Sequence, residues 1–296
     1  HWWDYGYWIQ SIGKRATILD GGNAIYYWNH FMGRYILTGT DDRIALEFLY
    51  AHNATHLLID STDIGKYHAF SLIGSDVNYD RRSDVGLLGR DSESTKVLAN
   101  SSIYFYGGDE IAVDEDIIYD INGTKVFLPG GKARLFGVFV EQSSDGAISQ
   151  PIGVFYYANK QYNIPLRYIF GKNKKDYGSG LESGIYFIPR VVSRGDSVDI
   201  EVTGAAIYLP GRVANSLYAR LYLYGEENQY FKLVHAEDNA VVEEIKKQSP
   251  GFEKEMVYFE NVDGPIKIWE IKYPKDIEFK PEFLERKYPE ELQKTR

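Results

Sequence analysis

The sequence predicts a mixed α+β chain: an α/β, largely helical central core interrupted by an inserted antiparallel β module. Three observations carry that reading. In residues 1–95, apolar positions at helical spacing alternate with short apolar runs. From about 96 to 205 helical periodicity disappears, and short β-branched and aromatic runs are separated by Gly, Asp, Asn and Pro. Beyond 205 the helical pattern returns. The division read from this is a central core of 1–95 and 206–273, a β-rich insertion of 96–205, and a tail of 274–296. That tail is rich in Lys, Glu and Pro and reads as a linker to a further peripheral domain.

In chain order, Tyr35-Ile36-Leu37 reads as a short strand. Thr40 reads as an N-cap, with Asp41 and Asp42 in the first turn of a helix. Ile44, Ala45, Phe48 and Leu49 recur at helical spacing through Tyr50, and Asn53 ends that helix. His56-Leu57-Leu58-Ile59-Asp60 reads as a buried strand. Ser61, Thr62 and Asp63 then start a helix running to Ile73. The order strand, helix, strand, helix predicts an α/β layer. In the insertion, Ile103–Tyr106, Lys125–Leu128, Gly137–Val140, Gly153–Tyr157 and the alternating Val198–Val202 read as strands. Val213, Leu217, Leu221 and Tyr224 form one helical stripe stopped by Gly225, and Ile266–Ile271 is an alternating strand.

Composition narrows the function classes. At 296 residues the chain is long enough for two domains or one domain with a large insertion. A net charge of −9 argues against a nucleic-acid footprint. Without cysteine, disulfides and thiolate metal sites are excluded. No run of eighteen apolar residues occurs, so no membrane-spanning helix is expected. The absence of cysteine, with two Met and many Lys and Glu, fits the composition of a hyperthermophile. The 25 tyrosines fit both ordinary strands and a carbohydrate- or peptide-contacting surface. A chain that opens directly on His1, without a signal-peptide pattern, reads as a fragment of a longer protein.

The densest chemistry lies in His1-Trp2-Trp3-Asp4-Tyr5-Gly6. Two indole N–H donors and a carboxylate acceptor on neighbouring residues suit a small polar guest such as a hydroxyl. The structural alternative is a buried aromatic cluster with Asp4 capping a helix. A second group follows on one predicted helix face, where Asp63, Lys66, Phe70 and Ile73 stand at i, i+3, i+7 and i+10. Its structural alternative is an ion pair at a helix start with Phe70 and Ile73 in the core.

Trp2–Gly6 resembles the WWDYG signature of the catalytic subunit of oligosaccharyltransferases. Asp63-x-x-Lys66, followed after six residues by Ile73, resembles the second signature of the same family. Both are complete and stand in the family's order, and Ser216–Tyr222 looks like its late core helix. The likeness covers roughly 1–95 and 205–273, while the insertion is similar to that of archaeal members in placement and general character. The resemblance implies the C-terminal soluble domain of an archaeal dolichyl-phosphooligosaccharide–protein glycotransferase, a glycosyltransferase that modifies Asn-X-Ser/Thr. On that reading Trp2, Trp3 and Asp4 bind the hydroxyl two residues after the asparagine. Tyr5 gives structural support, Gly6 completes the motif, Asp63 and Lys66 shape or close the pocket, and Ile73 touches the threonine methyl. The partners implied are an acceptor polypeptide and a dolichol-linked oligosaccharide, with no nucleic acid. A divalent metal, Mn or Mg, would sit on a membrane domain upstream of His1, so no catalytic residue or metal ligand is assigned to this chain. The fragment alone is expected to be inactive, and it would lie on the extracytoplasmic side of the cell membrane.

Other constellations are weaker. The acidic run Asp109, Glu110, Asp114, Glu115, Asp116 lacks the spacing of a calcium loop and reads as a solvated face. His30, His52, His56, His68 and His235 show no metal spacing, and Pro129-Gly130-Gly131-Lys132 lacks the phosphate-loop pattern. Asn53, Asn100 and Asn122 open Asn-X-Ser/Thr sequons. The main rival function is a carbohydrate-binding β module stacking on Tyr156, Tyr157 or Tyr186. A glycoside hydrolase would need a carboxylate pair that no spacing singles out.

Overall fold

A computed structural model describes residues 1–121, 123–194, 197–249 and 251–292. Two compact units result: His1–Arg82 with Asn215–Glu255 and Asp263–Arg296, and Ser83–Ala214 with Met256–Val262. The boundaries differ from those expected. Gly86–Val97 pairs antiparallel with Ser197–Leu209 and with Ser101–Ala112, so ladder membership moves the start of the β unit to Ser83. A later strand, Val257–Phe259, joins the same sheet through the Arg190–Tyr258 pairing.

The first unit holds four helices that matter for the site: α1 (Gly6–Ser11), α2 (Tyr26–Phe31), α3 (Asp42–Ala51) and α4 (Tyr67–Gly74). Its sheet, in the order His56–Ile59, Ile266–Ile271, Phe231–Glu237, is antiparallel throughout. The expected α/β layer is therefore a helical group with a small antiparallel sheet. The central strand comes from late in the chain, where the sequence order of elements gives no hint of pairing.

Tyr35-Ile36-Leu37 is helical, not a strand. It belongs to a π-helical stretch, Met32–Leu37, that continues α2. Ile36 and Leu37 are buried, and three apolar residues satisfy a helix as well as a strand. Thr38 closes the stretch by donating its N–H (2.9 Å) and Oγ1–H (2.8 Å) to the Gly33 carbonyl. α3 is capped by Asp41, one residue after the expected Thr40, whose carboxylate accepts from the N–H of Arg43 and Ile44. Ala45, Phe48 and Leu49 are buried along its inner face as the periodicity predicts. Asn53, with φ 52°, follows its end. The Val213–Tyr224 stripe is split: a short helix Gly211–Ala214 gives way to a π-helical turn Ala219–Leu223. Between them the Leu217 N–H turns away to the Gly39 carbonyl at 2.7 Å. The expected tail is docked on the first unit. Phe283 is buried edge-on against Phe31 at 5.4 Å and Phe48 at 5.7 Å, and residues 293–296 lie outside the described residues.

Two glycines set how closely α4 approaches its neighbour. A Cβ on Gly33 would stand 2.6 Å from the Phe70 carbonyl oxygen, and one on Gly74 would stand 2.5 Å from the Arg34 nitrogen. On this contact rests an aromatic floor: Trp2 and Tyr67 meet Phe70 edge-on at 5.3 and 5.6 Å, and Tyr218 lies 5.9 Å from Tyr67 and 5.7 Å from Tyr222.

In the second unit the predicted runs at Ile103, Gly137, Gly153 and Val198 all fall in strands. Ser197–Leu209, Gly86–Val97, Ser101–Ala112, Arg134–Ser143, Ile152–Tyr157 and Lys160–Phe170 follow one another, with Leu181–Arg194 beside the first. Leu181–Arg194 also pairs in parallel with Lys160–Phe170, so the sheet closes on itself. Closure removes the free ladder that an open sheet would expose there. Leu88, Tyr106, Leu135, Val138, Phe155, Ile164, Leu166, Ile185 and Ala206 belong to its core, and the Tyr106 hydroxyl donates to the Thr203 carbonyl at 2.6 Å. The predicted run at Lys125–Leu128 forms a separate hairpin with Ile117–Ile121. The Asn122 of the third sequon lies outside the described residues.

Two substitutions test this packing. Gly33→Ala must push α4 away and is expected to lower stability by about 1–3 kcal/mol. The Tyr218 hydroxyl is buried without a hydrogen-bond partner among the described residues. Tyr218→Phe is therefore expected to leave stability unchanged or raise it by about 1 kcal/mol, because an unpaired buried hydroxyl is removed. Urea unfolding midpoints at constant slope measure both, and a clear loss in Tyr218→Phe would show that the hydroxyl is satisfied.

Candidate functional site

The first motif folds as a 3₁₀ turn, Trp3–Tyr5, running directly into α1. Trp2 stands before the turn in extended backbone, with φ −72° and ψ 159°, so the two indoles part. The Trp2 ring is buried against Phe70, and Trp3 remains partly exposed. Gly6 is where the chain crosses another backbone: a Cβ there would lie 2.3 Å from the Leu19 carbonyl oxygen and 2.4 Å from the Asp20 Cα. Asp4 caps no helix. Its carboxylate pairs with the Lys66 ammonium.

The second motif begins with a 3₁₀ turn, Ser61–Lys66, rather than a continuous α-helix from Asp63. Asp60 is its cap. Asp60 Oδ1 accepts from the Thr62 N–H at 2.7 Å, and Asp63 Oδ2 accepts from the Asp60 N–H at 3.2 Å. That reciprocal box holds Asp63 inward, where it is 1% exposed. In a 3₁₀ turn, residues i and i+3 eclipse, which stacks Lys66 over Asp63. The Lys66 Nζ donates to Thr62 Oγ1 at 2.9 Å, Tyr5 Oη at 3.1 Å and Asp63 Oδ1 at 3.4 Å, besides its pair with Asp4. It also sits 4.6 Å from the centroid of the Tyr5 ring.

Asp4, Tyr5, Asp63 and Lys66 are thus brought into one group, with Trp3 in the same turn as Asp4 and Trp2 and Gly6 flanking that turn. Phe70 belongs to the aromatic floor. Ile73 lies seven residues along from Lys66, about 10 Å of helix rise. It is partly buried, and its carbonyl is 2.8 Å from His30 Nδ1. Sequence reasoning missed Asp60 and Thr62 as members of the group. The available signal was Asp60 with Asp63 three residues on, a capping-box pattern one residue earlier than the start assigned to Ser61.

Burial governs the electrostatics. Desolvation, reinforced by the nearby Asp60 charge, raises the Asp63 carboxyl to about 6 against the opposing field of Lys66. Desolvation works against the Lys66 charge, but its bonds to Asp4 and Tyr5 outweigh it and hold the ammonium above its ordinary value. Desolvation and the Asp60 carboxylate raise the Tyr5 phenol to about 12, so it stays protonated at neutral pH. One acceptor is left over. Asp4 Oδ1 is buried and has no hydrogen-bond partner among the described residues. The indole N–H groups of Trp2 and Trp3 likewise find no acceptor there.

Elsewhere the candidates thin out. Asp114 of the acidic run accepts from Ser83 Oγ at 2.6 Å, and burial raises its carboxyl above the ordinary value. Among the described residues no group of three His, Asp or Glu is placed to hold a metal ion. No described helix is long and apolar enough to cross a membrane. Tyr156 and Tyr157, neighbours on one strand, face opposite sides: Tyr157 packs on the core, and the Tyr156 hydroxyl donates to Gln161 at 2.6 Å. They do not form one stacking platform. A cleft of about 590 Å³ lined by Asp41, Asp42, Arg43, Leu46, Arg220 and Tyr230 contains none of the motif residues.

No family model matches the chain, and no curated protein matches it in sequence. Among solved structures it is similar to the C-terminal domain of PglB from C. jejuni, at 12% identity and a TM-score of 0.43, over 92% of each chain. It is also similar to the C-terminal globular domain of an oligosaccharyltransferase from Pyrococcus abyssi, at 15% identity and a TM-score of 0.31. That second likeness takes in 91% of this chain and 45% of the other.

The raised Asp63 carboxyl has a signed consequence. Between its ordinary value of 3.8 and about 6, the folded chain holds a proton that the unfolded chain has lost. The contribution of Asp63 to stability is therefore fully present below 3.8 and is lost as pH rises through about 6. Asp63→Asn removes this titration while keeping an oxygen for the Asp60 N–H. Melting temperatures of both proteins from pH 4 to 7 should show the wild type losing ground to Asp63→Asn as pH rises. A difference that grows the other way would mean that Asp63 is ionised throughout.

Proposed function

We propose that this chain is the acceptor-reading domain of a membrane oligosaccharyltransferase, which transfers a lipid-linked oligosaccharide to the asparagine amide of Asn-X-Ser/Thr. Besides the two complete motifs, the observation that carries the reading is the state of Asp4. One face of its carboxylate is committed to a Lys66 ammonium that is itself fully bonded, and Oδ1 is left buried without a partner. Indole N–H donors without acceptors lie in the same short segment. A hydroxyl both donates and accepts, so it would give its proton to Asp4 and take a hydrogen bond from an indole.

Specificity follows from what a wrong guest leaves behind. Valine in place of threonine offers neither donor nor acceptor, and sites built to bond a hydroxyl reject such analogues by about 10⁴–10⁵. The methyl that distinguishes threonine from serine contributes about 0.8 kcal/mol when buried, a bias of about fourfold. Ile73 is the residue proposed to meet it. Lys66 acts on Asp4 and not on the acceptor, and Asp63 sets Lys66 from below. Activation of the asparagine amide by a divalent metal, and binding of the dolichol-linked donor, would belong to a membrane domain outside this chain. On this reading the domain faces the extracytoplasmic side and is inactive alone.

The test uses the full-length, membrane-extracted enzyme with Asn-X-Thr, Asn-X-Ser and Asn-X-Val peptides. Wild type should transfer to threonine above serine by about fourfold and not to valine. Trp3→Ala, Asp4→Asn and Lys66→Ala should each lose at least about tenfold in kcat/KM, consistent with loss of a charged hydrogen bond. Variants with unimpaired transfer would reduce these residues to packing and helix-start roles. No transfer at all, with glycan binding that needs Tyr156, would favour the carbohydrate-binding alternative.

A further inference from the structure

The Lys66 ammonium has three protons and four acceptors: the Asp4 carboxylate, Thr62 Oγ1, Tyr5 Oη and Asp63 Oδ1. A long flexible stem offers many ways to share them. What selects the arrangement seen can be read from the hydroxyls. An ammonium only donates and a carboxylate only accepts, so the chain of bonds between Lys66 and Asp60 has one direction. Lys66 donates to Tyr5 Oη, at 3.1 Å. The Tyr5 proton then goes to Thr62 Oγ1 at 2.5 Å, and the Thr62 proton goes to Asp60 Oδ1 at 2.8 Å. Thr62 Oγ1 also accepts directly from Lys66 at 2.9 Å.

Thr62 is therefore the junction. Its hydroxyl proton is spoken for by the carboxylate that caps the turn, which leaves its oxygen facing Tyr5 and Lys66. Asp60 holds the Thr62 backbone N–H as well, at 2.7 Å, and a β-branched side chain has little χ1 freedom. We infer that Thr62, which lies outside both motifs, is a positioning residue: with Tyr5 it holds the Lys66 ammonium on Asp4 and so leaves the other Asp4 oxygen to the acceptor hydroxyl. The role in acceptor binding rests on the function proposed above, whereas the hold on Lys66 does not. Without the Thr62 oxygen, Lys66 loses the bond that keeps it over the turn and falls back towards Asp63, one 3₁₀ turn earlier.

Thr62→Val keeps the shape and removes the hydroxyl, and Thr62→Ser keeps the hydroxyl. Two readouts are needed. The first is the Lys66 side-chain ammonium signal by nitrogen-15 NMR on the 296-residue chain, assigned through Lys66→Met. Thr62→Val should shift it and accelerate its proton exchange at least about tenfold, with Thr62→Ser close to wild type. An unchanged signal in Thr62→Val overturns the inference. The second is kcat/KM for Asn-X-Thr peptide in the full-length enzyme. Thr62→Val should lose at least about tenfold, Thr62→Ser no more than about threefold, and Thr62→Val combined with Lys66→Met no more than Lys66→Met alone. Losses that multiply in the double variant overturn the assignment of Thr62 to Lys66. If Lys66→Met itself leaves transfer intact, the acceptor reading fails, and the ammonium signal alone decides the role of Thr62.

Discussion

The pair between Asp4 and Lys66 is the constraint on which the candidate site depends. It joins two 3₁₀ turns that are far apart in the chain, Trp3–Tyr5 and Ser61–Lys66. An isolated pair this exposed, 28% and 27% at the two side chains, would contribute little. Here the ammonium also holds Thr62, Tyr5 and Asp63, and a buried aromatic floor lies beneath Trp2. Several bonds share one cation, so the geometry is set by the group rather than by one contact.

That group is built on close backbone approaches. Gly6 lets the first turn cross the Leu19–Asp20 backbone, and Gly33 with Gly74 lets α4 lie against the π-helical stretch. Neither crossing leaves room for a side chain. Phe70 then reaches Trp2, and the turn before α4 is carried to the height at which Lys66 meets Asp4. The glycine of the first motif is explained by this crossing without any appeal to ligand chemistry.

Much of this was legible in the sequence, and the exceptions have physical causes. The inner face of α3 and the strands at Ile103–Tyr106, Lys125–Leu128, Gly137–Val140, Gly153–Tyr157 and Val198–Val202 follow from periodicity and turn signals, and the motifs name Asp4, Tyr5, Asp63 and Lys66. Tyr35–Leu37 was misread because three apolar residues are too few to separate strand from helix. The small sheet was misread because its middle strand lies some two hundred residues from its first partner, and local order carries no trace of that pairing. The domain boundaries shifted because strand membership is set by ladders, not by where composition changes. The expected tail docks through two rings, Phe283 and Tyr288, set in a polar stretch and too sparse for a pattern. Thr62 stayed hidden because a hydroxyl at a helix start reads as a capping residue, and its partner, Tyr5, is known only once the chain is folded.

The small antiparallel sheet bears on how the molecule is made as well as on how it stands. His56–Ile59 pairs with Ile266–Ile271, and the turn that carries Thr62 and Lys66 follows that first strand immediately. During synthesis the strand waits for the long intervening segment, Asp60 to Pro265, before its partner is made. Non-local pairing of this kind is slow to form, since loop closure precedes any gain from contact. The closed sheet of Ser83–Ala214 is complete in sequence much earlier, apart from its late strands at Val257 and Asn261. The turn that carries Thr62 and Lys66 is thus fixed to its sheet only after the closed sheet's main strands have already been made.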